Sequence, residues 1–179
     1  MLTKRTSLFI LALTLLAVSA ALPAGDSPAV GSAAPAFRLQ DQNGEWHELK
    51  DYRGGWLAVY FYPKNDTPGC TTEACNFRDN IYAFKAIGAS VVGISIDDVE
   101  SHQEFSAKYK LPFVLLADET GATAQAYGVL RDWKVTKIAA RESFLVNPDG
   151  IIVKHYEDVD PENHTQEVLA DLDALIKGP

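Results

Sequence analysis

Apolar and polar side chains alternate at Phe37-Arg38-Leu39 and again at Trp46-His47-Glu48-Leu49. Between them stands Asp41-Gln42-Asn43-Gly44, and an Asn-Gly step readily takes the positive φ angles of a tight turn. An N-terminal β-hairpin is therefore expected. Trp56 to Tyr62 is apolar throughout and predicts a central strand covered on both faces. From Thr71 to Ile87 the apolar residues Phe77, Ile81 and Phe84 recur at helical spacing. Ser90 to Ile96 reads as a second, β-branched strand, and Val99 to Tyr109 as a polar, partly amphipathic helix. A short third strand (Phe113 to Ala117) and a short helix (Ala122 to Tyr127) follow. Ser143 to Val146 and Ile151 to His155 form a second hairpin about Asn147-Pro148-Asp149-Gly150. The chain closes with an amphipathic helix, Glu162 to Ile176, carrying Val168, Leu169, Leu172, Leu175 and Ile176. Strands alternating with helices define an α/β sandwich; the pattern alone leaves strand order open. No internal repeat or second domain is visible.

The first residues follow a different logic. Lys4 and Arg5 precede an apolar run, Leu8 to Val18, of signal-peptide length and shorter than a membrane span. Small residues follow, and cleavage after Ala20 or Ala24 fits. Residues 1–24 are read as a signal peptide, with an uncleaved anchor as the alternative. No cysteine lies nearby to carry a lipid. Export, to a bacterial periplasm, is the expectation. Residues 25–36, rich in Gly, Ala, Ser and Pro, read as a flexible lead-in. Residues 37–179 then make one domain large enough for its own core. Sixteen basic residues against 24 acidic ones give a net charge of −8. Loss of Lys4 and Arg5 makes the chain more acidic still. Such a surface repels nucleic acid and anionic membranes, so neither is expected as a partner after signal cleavage.

Candidate chemistry concentrates in one place. The two cysteines, Cys70 and Cys75, both lie just after the central strand. A Pro68-Gly69 break precedes Cys70 and a helical stretch follows, which puts a thiol at or near a first helical turn. Free backbone N–H groups and the positive end of the helix dipole favour a thiolate there, and the thiolate is the nucleophile. Five residues of continuous helix rise about 7.5 Å and leave the two side chains roughly 140° apart around the axis. A disulfide usually needs Cα atoms within about 6.8 Å. The pair can bond only if the helix start unwinds. A structural disulfide, a metal site and a redox pair remain three readings. The first would close a very small loop and break a helix. The second lacks a nearby His partner at zinc-like spacing.

The string Phe61-Tyr62-Pro63-Lys64-Asn65-Asp66-Thr67-Pro68-Gly69-Cys70-Thr71-Thr72-Glu73-Ala74-Cys75 resembles the active-site segment of peroxiredoxins. Within them it resembles the bacterioferritin comigratory protein, or peroxiredoxin Q, subgroup. The resemblance continues through Asn76-Phe77-Arg78-Asp79, Val91 to Ser95, Leu116-Ala117-Asp118, Ala126 to Val129 and Arg141 to Val146. It spans roughly Val30 to Ile176. It implies a thioredoxin-like fold with a central mixed sheet, flanking helices and an N-terminal hairpin. It also implies an atypical two-cysteine peroxidase for hydrogen peroxide and organic hydroperoxides. Cys70 is then peroxidatic and Cys75 resolving. Thr67 aims its hydroxyl at sulfur or peroxide, and Arg141 supports the thiolate. Pro63, Pro68 and Gly69 shape and shield the loop. The intramolecular disulfide is reduced by a thioredoxin-like protein. No metal, haem or flavin is implied, and a monomer is expected. Glu73 reads equally as a partner of Arg141 and as a first-turn acidic residue favoured by the dipole.

Two rivals share the fold class. An exported thiol–disulfide oxidoreductase would normally carry Cys-x-x-Cys, which is absent. A copper-delivery protein of the Sco kind needs Cys-x-x-x-Cys and a distant His. The four histidines, His47, His102, His155 and His164, are scattered and read as solvated or locally bonded. Asp97-Asp98 reads as a helix cap.

Overall fold

A computed structural model describes residues 26–132 and 136–178. The expected signal peptide lies outside the described residues. The apolar run becomes β3 (Trp56–Phe61). Leu57, Val59 and Phe61 enter the core on one face of the sheet, and Ala58, Tyr60 and Tyr62 the core on the other. Two covered faces explain why this strand shows no polar alternation.

Parallel to β3 lies β4 (Ala89–Ser95), reached through α1 (Pro68–Ala86); parallel to β4 lies β5 (Val114–Ala117), reached through α2 (Val99–Tyr109). On the other side of β3, antiparallel β8 (Glu142–Val146) pairs with β9 (Ile152–Tyr156). The hairpin of β1 (Arg38–Asp41) and β2 (Trp46–Glu48) joins at β5. The result is a seven-stranded mixed sheet of order β2-β1-β5-β4-β3-β8-β9. The expected helix-flanked mixed sheet with an N-terminal hairpin is what forms. Phe77 and Phe84 of α1 pack with Val168 and Leu172 of α4 (His164–Lys177) on one face. Tyr127, Phe144 and Ala124 of α3 (Ala122–Ala126) fill the other. Across the β3–β4 ladder Tyr60 faces Gly93, where a Cβ would stand 2.6 Å from the Tyr60 ring. Only glycine leaves room for that ring.

Two expectations change, and one element was not expected. The helix starts at Pro68, not Thr71, because proline at the first helical position already has the required φ. The Pro-Gly pair is thus the helix start and not a loop. The flexible lead-in is tied down from Gly31 to Ala34: Gly31 N–H donates to the Ile152 carbonyl (2.8 Å), and Ile152 N–H to that of Ser32 (2.9 Å). Ala34 N–H donates to the Gly150 carbonyl (3.0 Å). Small side chains let this backbone lie close to its neighbours. At Gly128, with a φ of 72°, a Cβ would stand 2.5 Å from the Ser27 nitrogen. Finally, β6 (Leu130–Asp132) and β7 (Lys137–Ala139) form a two-stranded ribbon whose three-residue strands are too short to show a periodic signal.

Candidate active site

The β3–β8 ladder sets the site. Phe61 pairs with Glu142, so Arg141 stands beside the point where the chain leaves β3. Proline at position 63 has no N–H with which to continue a ladder. The chain turns through Asp66, whose φ of 59° is unusual for a residue with a side chain. An ion pair with Lys108 of α2 holds Asp66 at 2.8 Å.

Asn65 pins this turn from inside. Its backbone N–H donates to Asp97 (2.9 Å), and its Oδ1 accepts from the Tyr62 hydroxyl (2.8 Å). Its Nδ2 donates to Ser101 (2.9 Å) and lies 3.0 Å from His102 Nδ1. His102 Nε2 lies 3.1 Å from the Leu116 carbonyl, which can only accept. Nε2 therefore carries the proton and Nδ1 accepts from Asn65. Burial holds His102 below the ordinary histidine range, in keeping with a neutral ring. Asp98, not Asp97, caps α2 by accepting from Ser101 N–H at 2.8 Å. Sequence reasoning missed this network because its members come from separate segments and carry no local signature.

Thr67 is the N-cap of α1, Pro68 the first helical residue and Cys70 the third. The first helical hydrogen bond runs from Thr71 N–H to the Thr67 carbonyl, so the Cys70 N–H is not spent on the helix. Cys70 is 1% exposed and takes a hydrogen bond from Arg141 Nη2 at 3.2 Å. A donor and a positive charge there stabilise negative sulfur. Gly69 makes room: a Cβ would stand 3.1 Å from Arg141 Nη2.

Arg141 Nη1 pairs with Glu73 Oε2, while Glu73 Oε1 is buried without a hydrogen-bond partner. Glu73 is 0% exposed. Burial pushes its carboxyl up to about 7, against the opposing pull of Arg141. Burial works against the charge on Arg141, and Glu73 and Cys70 outweigh it. On the far side His164, 2.9 Å from the Ser143 hydroxyl, is held down at about 4 by burial and by Arg141.

Of the residues singled out in the sequence, Cys70, Gly69 and Arg141 come together. Thr67 turns elsewhere: its hydroxyl donates to the Lys64 carbonyl at 3.0 Å and not to sulfur. Pro68 is exposed and Pro63 half-buried beside the helix start. Cys75 is half-buried against the Arg78 guanidinium, which also donates to the Tyr109 carbonyl at 2.9 Å. Both cysteines are free thiols within the one unbroken helix. Of the two readings of Glu73, the contact with Arg141 is present. Among the described residues no group of three or more His, Cys, Asp or Glu side chains could hold a metal ion.

A buried thiol in a first helical turn, held by an arginine just before a neighbouring strand, defines a thiol-dependent oxidoreductase of thioredoxin-like fold. The chain belongs to the AhpC/TSA family, whose profile matches residues 30–155. It is similar to the chloroplastic peroxiredoxin Q of Oryza sativa subsp. japonica, 44% identical over 146 residues, 81% of this chain and 67% of that one. It also resembles peroxiredoxin Bcp of Bacillus subtilis, 39% identical over 150 residues, 80% of this chain and 94% of that one. Among solved structures, peroxidoxin BcpB of Mycobacterium tuberculosis superposes with a TM-score of 0.77 at 32% identity, covering 82% of this chain and 97% of that one. The Xanthomonas campestris bacterioferritin comigratory protein, solved in complexes bearing on its alkyl peroxide reduction activity, gives 0.73 at 35%, covering 78% and 92%. The protein is a thiol-dependent peroxidase, and neither the disulfide oxidoreductase nor the copper-delivery alternative is favoured.

Proposed function

We propose that Cys70 is the peroxidatic residue and Cys75 the resolving one. The observation that carries this is the Arg141 Nη2 contact with a buried sulfur in the first turn of α1. The Cys70 thiolate attacks the terminal oxygen of a peroxide, the O–O bond breaks, and a sulfenic acid forms as water or an alcohol leaves. Arg141 and the free Cys70 N–H offer donors where charge develops on the departing oxygen. Thr67 joins this donor set only if its hydroxyl leaves the Lys64 carbonyl. Cys75 then attacks the sulfenic sulfur, and water departs as the intramolecular disulfide forms.

That second step needs motion. The cysteines share a helix whose later turns are anchored by buried Phe77, Ile81 and Phe84. The unwinding must therefore come from the turns before Phe77. A dithiol protein of thioredoxin type is the reductant this disulfide calls for. Hydrogen peroxide and organic hydroperoxides are the substrates, the latter supported by the alkyl peroxide activity of the Xanthomonas relative. Export to a periplasm rests on residues 1–24, and a monomer acting free of membranes completes the reading.

The test adds one equivalent of hydrogen peroxide to the reduced, signal-less protein and measures free thiols and intact mass. Rapid loss of both thiols and of two hydrogens, absent in Cys70→Ser, is expected. Retention of both thiols would sink the assignment.

A further inference from the structure

Among the described residues, the buried site has more groups able to carry negative charge than cations to match them. Arg141 reaches Cys70 with one nitrogen and Glu73 with another. Glu73 is fully enclosed, and its second oxygen has no partner. The other titratable groups facing this cluster do not add charge. Burial holds Tyr60 of β3 and Tyr62 just beyond it well above the ordinary tyrosine range, and they stay neutral. His164, from α4, is neutral above about pH 4. With both sulfur and carboxyl ionised, one guanidinium would face two buried anions, and a buried charge without a partner is costly.

We propose that Cys70 and Glu73 share one proton through Arg141, so that the site holds a single negative charge throughout the peroxide step. Sulfur bears it before the O–O bond breaks and the Glu73 carboxylate bears it afterwards. The inference rests on Cys70 being peroxidatic. The thiolate forms the S–O bond and gives two electrons to the leaving oxygen. Arg141 passes a proton to that oxygen as it takes one from Glu73, so the guanidinium keeps its charge and the oxygen departs as water or alcohol. The sulfenic acid left behind is neutral, and Arg141 keeps one anion as its partner. The orphaned carboxyl oxygen and the two-sided grip of Arg141 then have one explanation. Glu73 acts through Arg141 and is a positioning residue that also stores the proton.

The test is a carbon-13 NMR titration of the glutamate carboxyls in the reduced protein and in Cys70→Ser, whose hydroxyl stays neutral. The Glu73 midpoint is expected to fall by about one pH unit or more in the variant, the size that marks coupled sites. Glu73→Gln stands for the protonated carboxyl, and sulfur ionises while Glu73 still holds its proton, so the midpoint of Cys70 thiolate absorbance, read in a Cys75→Ser background, is expected to stay in place. The peroxide rate constant of wild type is expected to fall above the Glu73 midpoint, and Glu73→Gln to remove that fall. An unmoved Glu73 midpoint in Cys70→Ser, or a Cys70 midpoint that falls by about one unit in Glu73→Gln, overturns the proposal. Both titrations are read without peroxide. Loss of thiols to peroxide without coupling removes proton sharing alone, and coupling without reaction removes the peroxidase assignment alone.

Discussion

Arg141 does two things that a lysine cannot do at once. Its planar fork donates to sulfur from one nitrogen and to a carboxyl oxygen from another. Arg141→Lys keeps the charge but loses the fork. The second-order constant for peroxide is expected to drop about 100- to 1,000-fold, a typical loss for one oriented donor. Stopped-flow fluorescence would read it, and an unchanged constant would remove Arg141 from the peroxide step. Cys70 and Arg141 were legible because a specific string and its continuation pointed to them. Glu73 was balanced between two meanings, since a sequence cannot show which oxygen is enclosed. Asn65, Asp97 and His102 were invisible as a set: they lie 32 and 37 residues apart and meet only when α2 packs over the turn. Glycine at position 93 carried no message until Tyr60 was seen lying against it.

At the scale of elements, α1 joins a weak beginning to a strong continuation. Thr67 occupies the N-cap but makes no capping bond from its side chain, which turns back to Lys64. A missing cap bond costs a helix about 1 kcal/mol. Beyond Cys75, Phe77 and Phe84 are fully buried and hold the remaining turns. Oxidation to the disulfide is therefore expected to speed amide hydrogen exchange between Cys70 and Asn76 and leave Phe77 onward as protected as before. Equal protection of the first turns in both forms, with the disulfide present, would show that the cysteines meet some other way. The start of this helix was misread because Pro-Gly looks like punctuation. Proline is also the residue best suited to a first helical position, and the two meanings share one dipeptide. The long strands and helices were legible from periodicity, and the short ribbon of β6 and β7 was not.

For the whole molecule, two buried groups pull stability in opposite directions with pH. His164 titrates at about 4 when folded and near 6.5 otherwise, so its contribution is present above 6.5 and lost as pH falls through 4. Glu73 titrates at about 7 when folded and near 4.5 otherwise, so its contribution is present below 4.5 and lost as pH rises through 7. Each is of order 3 kcal/mol. Between pH 4.5 and 6.5 the two slopes cancel. Urea midpoints, relative to wild type, should fall with rising pH in His164→Gln and rise with pH in Glu73→Gln. Parallel curves for all three proteins would refute both assignments. One last feature concerns solubility. The sheet has two rims: β2 is only three residues long, and the start of β9 is covered by the backbone of Gly31 to Ala34. Neither rim offers a long row of unpaired amides and carbonyls for another chain to dock on. The segment that the proposed Cys70–Cys75 disulfide requires to loosen is a helix end beside the interior strand β3. A molecule that opens there exposes no strand template, so repeated cycling under peroxide need not seed aggregates.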